Sequence, residues 1–393
     1  MSASSSESRP AAPSLVARLL FGRRLADTPA LIPGILLAAL VVAAAVMLAE
    51  FASRALGQKG LLSPIMMAIV IGFALGNSIR IPERFAPGIA FCVSKMLRLG
   101  IILMGIRLSV LDAARIGLWG VPIVLVCLTA GLVLTTYFAR LLRLPDRLGT
   151  LMAVGTSICG VTAIVATAPV IEAEEREVAY AVANITVFGL TAMMIYPYLA
   201  NLLFHGNPVM AGLFLGTAIH DTSQVTGAAL IYDQTFGVVA KPTVADVAIV
   251  TKLVRNVFIA AVIPLMAFLY ARRLAATSGS PYGRLDFRSY FPVFIAGFIL
   301  MATARSLGDA GLQAGGPAFG LWSPAEWSKG IARIADLGSY ALAAAMAGVG
   351  LGTQIRKLKG LGLRPFLVGF FAALVVSLTS AVAVTLLGSH VSL

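Results

Sequence analysis

Long apolar runs recur along the chain, separated by short polar interruptions. They lie at 31–53, 62–79, 88–110, 118–141, 148–170, 178–204, 208–231, 244–270, 290–307, 330–352 and 363–388. A helix needs roughly 20 mostly apolar residues to cross a bilayer. The pattern therefore predicts an all-α polytopic membrane protein of about ten to eleven membrane elements. Residues 1–30 begin MSASSSESRPAAP and read as a disordered cytoplasmic segment, with no apolar stretch of signal-peptide length. Residues 31–393 read as a single transmembrane domain.

Composition agrees with this pattern. Of 393 residues, 59% are apolar and 12% charged, against about 25% charged in a soluble domain. The formal net charge is +13, but the basic residues fall in short loops. There they set orientation and meet anionic headgroups rather than nucleic acid. Clusters occur at Arg18, Arg23 and Arg24, at Arg140, Arg143 and Arg147, at Arg272, Arg273, Arg284 and Arg288, and at Arg356, Lys357, Lys359 and Arg364. Placing all four inside puts the N-terminus in the cytoplasm and the C-terminus outside, in a plasma or inner membrane. The 308–328 loop lies outside, with Trp322 and Trp327 as interfacial anchors. Cys92, Cys127 and Cys159 all sit in apolar runs and form neither a disulfide framework nor a zinc pattern. No phosphate loop, metal cluster or paired membrane carboxylate is present, so neither an enzyme nor a cofactor or metal is expected.

Two internal repeats organise the chain. At an offset of 243, Gly105 meets Gly348, Leu108 meets Leu351, Gly117 meets Gly360 and Pro122 meets Pro365. At an offset of 228, residues 63–79 lie on 291–307. With the loop orientation above, these outer copies are inverted. Between them, GTSICGVT at 155–162 resembles GTAIHDTS at 216–223. If these elements span, the copies run parallel; if they are re-entrant, the copies are inverted, which agrees better with the outer repeat. Elements 62–142 and 290–388 are read as a scaffold and 148–270 as a core.

Small polar residues inside membrane segments serve as packing surface or mark broken helices whose freed N–H groups favour anions. Thr156, Ser157, Cys159 and Gly160 in the first copy, and Thr222, Ser223 and Gln224 in the second, are candidate substrate-binding residues at mid-membrane. His220 and Asp221 are ionisable inside a membrane segment and are candidates for coupling. Lys252 and Arg255, three residues apart on one helical face, would supply positive charge to an anion; pairing with Asp221 or Asp246 is the alternative. Asn184, Thr186 and Arg98 are secondary candidates. Lys95 and Arg98 also suit snorkelling, Arg107 an interfacial place, and the Glu172–Glu177 turn a solvated one.

Taken in order, GTSICGVTAIVATAPVI, GTAIHDTSQV, VTKLVRN and MAGVGLGTQIRKLKGLGLRP closely resemble a bacterial inner-membrane family described as sulfate exporters, within a superfamily of bile-acid and arsenite carriers. The resemblance covers residue 30 to the end. It implies secondary transport on an inverted-repeat fold, with Ser157, Cys159, Gly160, His220, Lys252 and Arg255 as motif residues and sulfate as substrate. Asp221 stands where many members have Glu. The resulting expectation is export of a small anion by alternating access, the core moving as an elevator, coupled to a proton or sodium ion. By analogy such carriers form homodimers. An anion channel and a proton- or cation-coupled carrier of another solute remain open.

Overall fold

The computed structural model describes residues 29–56, 64–238, 241–266, 268, 293–354 and 362–388. The N-terminal segment expected to be disordered, most of 1–30, lies outside the described residues. So do the loop cations Arg272, Arg273, Arg284, Arg288, Arg356, Lys357 and Lys359. The regular elements are helical, and no strand is present among the described residues. In chain order they are α1 (Ile32–Leu56), α2 (Pro64–Ser78), α3 (Glu83–Arg107), α4 (Val110–Leu141), α5 (Asp146–Ser157), α6 (Val161–Thr167), α7 (Glu175–Leu203), α8 (Pro208–Ala218), α9 (Thr222–Phe236), α10 (Val244–Val257), α11 (Val293–Gln313), α12 (Pro324–Gly352) and α13 (Leu363–Leu387). Eight of the helical stretches are long and apolar enough to cross a membrane; α2 and α8 are apolar but shorter. The protein is multi-pass.

Helix starts follow capping chemistry more closely than hydropathy. The apolar run at 118 predicts a late start for α4, yet it begins at Val110. The Ser109 hydroxyl accepts the Asp112 N–H, and the Asp112 carboxylate accepts the Ser109 N–H in return. Such a capping box satisfies two otherwise orphaned donors, so the polar turn DAARIG stays helical. At its other end the helix closes on Arg140 and Leu141. The same reciprocal pair, Ser323 and Glu326, starts α12 at Pro324, ahead of the predicted 330. Glu174 and Glu177 of the acidic turn cap α7.

Large apolar side chains such as Leu36, Met47, Phe51, Leu118, Leu202, Leu300 and Leu386 point outward. In lipid such a surface is stable, and helices associate through close packing of small residues instead. A Cβ on Gly350 of α12 would lie 2.4 Å from the Ile69 carbonyl oxygen of α2, and one on Gly105 of α3 would lie 2.5 Å from the Phe298 oxygen of α11. Thus α2 is seated on α12 while α3 is seated on both α12 and α11. The other long helices behave differently. Although 62–142 and 290–388 were grouped by sequence, α4 and α13 lie against each other and against the short helices between. Gly131 of α4 leaves room for the Ser157 side chain of α5, and Ser380 of α13 shares a 2.7 Å hydrogen bond with Thr217 of α8.

Two glycines of one helix should therefore respond oppositely to the same substitution. Gly350→Ala places a methyl into backbone and should lower stability by about 1–3 kcal/mol. Gly330→Ala, whose Cβ meets nothing within 4 Å, should be neutral or raise it by up to about 1 kcal/mol. Thermal unfolding of the detergent-solubilised protein reads both.

Candidate functional site

Two helices are interrupted at matching places. α5 stops at Ser157 and α6 starts at Val161; α8 stops at Ala218 and α9 starts at Thr222. These are equivalent positions of the inner repeat. In the first interruption Gly160 adopts φ 69° and ψ −122°, a conformation open to glycine and costly for other residues. In the second, Ile219 is extended and Asp221 caps the next helix. The Asp221 carboxylate accepts the Ser223 N–H at 2.9 Å and the Ser223 hydroxyl at 2.5 Å, while its own N–H donates to the Gln224 side chain at 3.3 Å. The two interruptions touch. A Cβ on Gly160 would lie 3.1 Å from both Cβ and Oδ2 of Asp221.

Ending a helix inside a bundle exposes its last carbonyls. α10 supplies the missing donors. Its N-terminus is fixed by a Thr243–Asp246 capping box and by Asp233, which accepts the N–H groups of Val244 and Ala245, each at 3.0 Å. Lys252, fully buried, donates to the carbonyls of Ile158 at 2.9 Å, Ile219 at 3.0 Å and His220. Arg255, also fully buried, donates through Nε to Ser157 at 2.7 Å, through Nη1 to Thr217 at 2.8 Å and Ile219 at 3.1 Å, and through Nη2 to Thr156. Ile158 and Ile219 are equivalent in the repeat, as are Thr156 and Thr217. Lys252 thus joins one equivalent pair of carbonyls, Ile158 with Ile219, and Arg255 another, Thr156 with Thr217.

This arrangement places the expected charges beside the crossing but directs their donors into it. All three Lys252 protons are engaged, as are four of the five Arg255 N–H groups. Neither cation forms a salt bridge with Asp221 or Asp246 among the described residues; Asp246 instead meets Arg107 at 3.4 Å. Arg107 is therefore part of a polar contact between α3 and α10 rather than only interfacial.

The remaining candidates separate into two sets. The Ser157 hydroxyl points at α4, Asn184 donates to the Pro365 carbonyl at 2.8 Å, and Gln224 reaches the Thr186 carbonyl at 3.5 Å. These join helices. Arg98 is exposed, away from the interruptions. Cys159 is buried, and the buried His220 imidazole faces the Thr156 backbone, with Nδ1 unpartnered. Only Asp221 and Thr222 are partly open at the crossing, beside the exposed Thr162. Asn256, absent from the sequence candidates, is buried beside Thr222. Its amide donates to the Thr222 hydroxyl at 3.3 Å, and its buried Oδ1 has no partner. Adjacency to Arg255 in VTKLVRN was the available signal. Among the described residues no three His, Cys, Asp or Glu side chains converge as metal ligands do.

Comparison with known proteins gives one consistent result. The family described as conserved hypothetical protein 698 matches residues 33–369. A UPF0324 membrane protein of Pseudomonas aeruginosa is 34% identical over 356 residues, covering 88% of this chain and 91% of its own. Another, from Corynebacterium glutamicum, is 32% identical over 359 residues, covering 90% and 92%. One from Streptococcus pneumoniae is 31% identical over 325 residues, covering 82% and 89%.

Removing a cation here leaves buried carbonyls without donors, each costing about 1–3 kcal/mol. Lys252→Met should lower stability by at least about 3 kcal/mol, visible as a lost or sharply lowered thermal transition. Arg255→Lys, which keeps the charge but not the fork, should lose less than Arg255→Met.

Proposed function

We propose that this chain, which belongs to the family of conserved hypothetical protein 698, is a secondary active transporter that carries a small anion across the bacterial inner membrane by alternating access. The observation that carries this reading is the contact of two interrupted helices at Gly160 and Asp221, braced by one pair of buried cations. Non-helical backbone at membrane depth is tolerated where protein buries it or a solute cavity uses it, and interrupted helices in carriers form binding sites.

Contacts at the helix ends support two re-entrant hairpins. The Tyr232 hydroxyl of α9 donates to Asn201 of α7 at 3.0 Å, and α8 starts just after α7 ends. So α8 and α9 would enter and leave at one end. A Cβ on Gly155 would lie 2.8 Å from the Ile164 side chain, as when α6 folds back along α5. That hairpin follows Arg140, Arg143 and Arg147, which the distribution of basic residues places in the cytoplasm. The hairpins would then dip from opposite sides, as inverted copies, with the N-terminus inside. The seating of α2 on α12 and of α3 on α11 is the reciprocal packing that an inverted outer repeat produces. The frame would be α1–α3 with α11 and α12. The moving body would be α4–α10 with α13.

Charge at the crossing bears on what is carried. Two cations face two helix C-termini, each worth roughly half a negative charge, and Asp221 adds one more. The helices that start at the same interruptions add partial positive charge, so the crossing suits an anion, which would enter together with a proton on Asp221 or with a sodium ion. Sulfate, named by the sequence resemblance, is the first substrate to test. Lys252 and Arg255 would shape the crossing and bias its field, while Asp221, Thr222 and Asn256 would meet the solute.

Proteoliposomes loaded with sulfate should show saturable counterflow of external labelled sulfate, driven by a proton or sodium gradient. Asp221→Asn should retain exchange and lose gradient dependence. Non-saturable electrical conduction would indicate a channel, and no flux of sulfate or related small anions would overturn the reading. Movement is tested separately. In a background lacking Cys92, Cys127 and Cys159, Ile65→Cys with Gln234→Cys joins α2 to α9 where the Ile65 N–H meets the Gln234 side chain at 3.5 Å. Cross-linking should arrest exchange and reduction should restore it; unchanged flux when cross-linked would rule out relative movement of the two bodies.

A further inference from the structure

A cavity of about 200 Å³ opens where α3, α4 and α11 meet the segment leading into α10. That is about the room taken by a handful of water molecules, enough for a small ion with part of its hydration. The cavity lies at the Ser109 end of α4, the opposite end from Arg140 along a helix of 32 residues, roughly 48 Å. It is also roughly two turns along α10 from Lys252, and is distinct from the crossing.

Three cations from three elements line it: Arg107 at the end of α3, Lys241 before α10 and Arg305 on α11. Two carboxylates, Asp112 and Asp309, share the wall, and both are already engaged. Asp112 accepts the Ser109 hydroxyl at 2.7 Å. Asp309 accepts Arg305 Nε at 2.5 Å and the Trp327 indole N–H at 2.9 Å. The cations keep more capacity. Arg107 makes long contacts, 3.4 Å to Asp246 Oδ1, 3.4 Å to the Thr243 hydroxyl and 3.8 Å to the Met104 sulfur. Arg305 uses one N–H of its five on Asp309. Lys241 is exposed and makes no hydrogen bond or ion pair among the described residues.

We propose that this cavity binds a small oxyanion bearing a carboxylate, sulfate or phosphate head, held by Arg107, Lys241 and Arg305. Free guanidinium and ammonium donors facing a small polar cavity are the donor set for such a head, and the committed carboxylates leave little to attract a cation. The site joins the two helix groups, since Arg107 and Arg305 belong to one and Lys241 leads into the other. It goes beyond the transport reading and does not depend on it.

Isothermal titration of the purified full chain with sodium sulfate, phosphate or acetate, at ionic strength held constant with sodium chloride, tests the site. At least one anion should bind saturably. Lys241→Ala should weaken binding of that anion at this site about tenfold, as loss of one charge-assisted hydrogen bond does, and Lys241→Glu should abolish this component while leaving any binding at the crossing. Lys241 is exposed, so both variants should keep the wild-type thermal transition. Arg140→Ala, which removes an exposed cation at the far end of α4, should bind as wild type does. Absence of saturable binding by the wild type overturns the proposal. So does binding that Lys241→Glu leaves unchanged. Failed counterflow alongside Lys241-dependent binding would count against the transport reading alone.

Discussion

Two positive charges buried among backbone carbonyls hold the centre of this protein together. Bringing a Lys and an Arg out of water costs several kcal/mol each, and ending two helices inside a bundle strands their last carbonyls. Each cost offsets the other. Lys252 and Arg255 donate to carbonyls from Thr156 to Ile158 and from Thr217 to His220, and charged donors make stronger bonds than neutral ones. The partial negative charge of two helix C-termini adds to the attraction.

Much else is arranged to bring α10 to that position. Its start is fixed by Asp233, Thr243 and Asp246, and Arg107 of α3 reaches Asp246. Gly216 of α8 lets the Thr251 side chain approach to 2.8 Å of where a Cβ would stand, so α8 lies close along α10. Gly160 permits the sharp turn that sets the first interruption against Asp221. At the crossing, spare hydrogen-bonding capacity remains on Asp221, Thr222 and Asn256, and on the buried His220 Nδ1.

The crossing and the boundary between the helix groups differ in their contacts. The bonds to Lys252 and Arg255 are short and buried. The boundary between α1–α3 with α11 and α12 and the remaining helices carries a mix of contacts, from the 2.8 Å hydrogen bond of the Val110 N–H to Ser306 to the 3.4 Å approach of Arg107 to Asp246 and the 3.5 Å contact of Ile65 with Gln234.

The sequence by itself determined the class of solvent, the helical character and the places where helices fail. Apolar length and scarce charge are properties of composition, and an interruption needs only local residues such as Gly160 and the Asp221–Gln224 cap. It also singled out Lys252 and Arg255, because an unshielded cation in an apolar run is anomalous wherever it points. What those cations touch was decided by tertiary structure alone. Their carbonyl partners are backbone atoms 32 to 99 residues away, and carbonyls carry no sequence signature. The grouping of α4 and α13 with the interrupted helices likewise rests on surface fit, Gly131 against Ser157 and Ser380 against Thr217, which hydropathy does not encode. Asn184 and Gln224 stand out as candidates because a polar side chain in an apolar helix reads the same whether it meets a solute or a neighbouring backbone, and their contacts with the Pro365 and Thr186 carbonyls come from the packed fold alone.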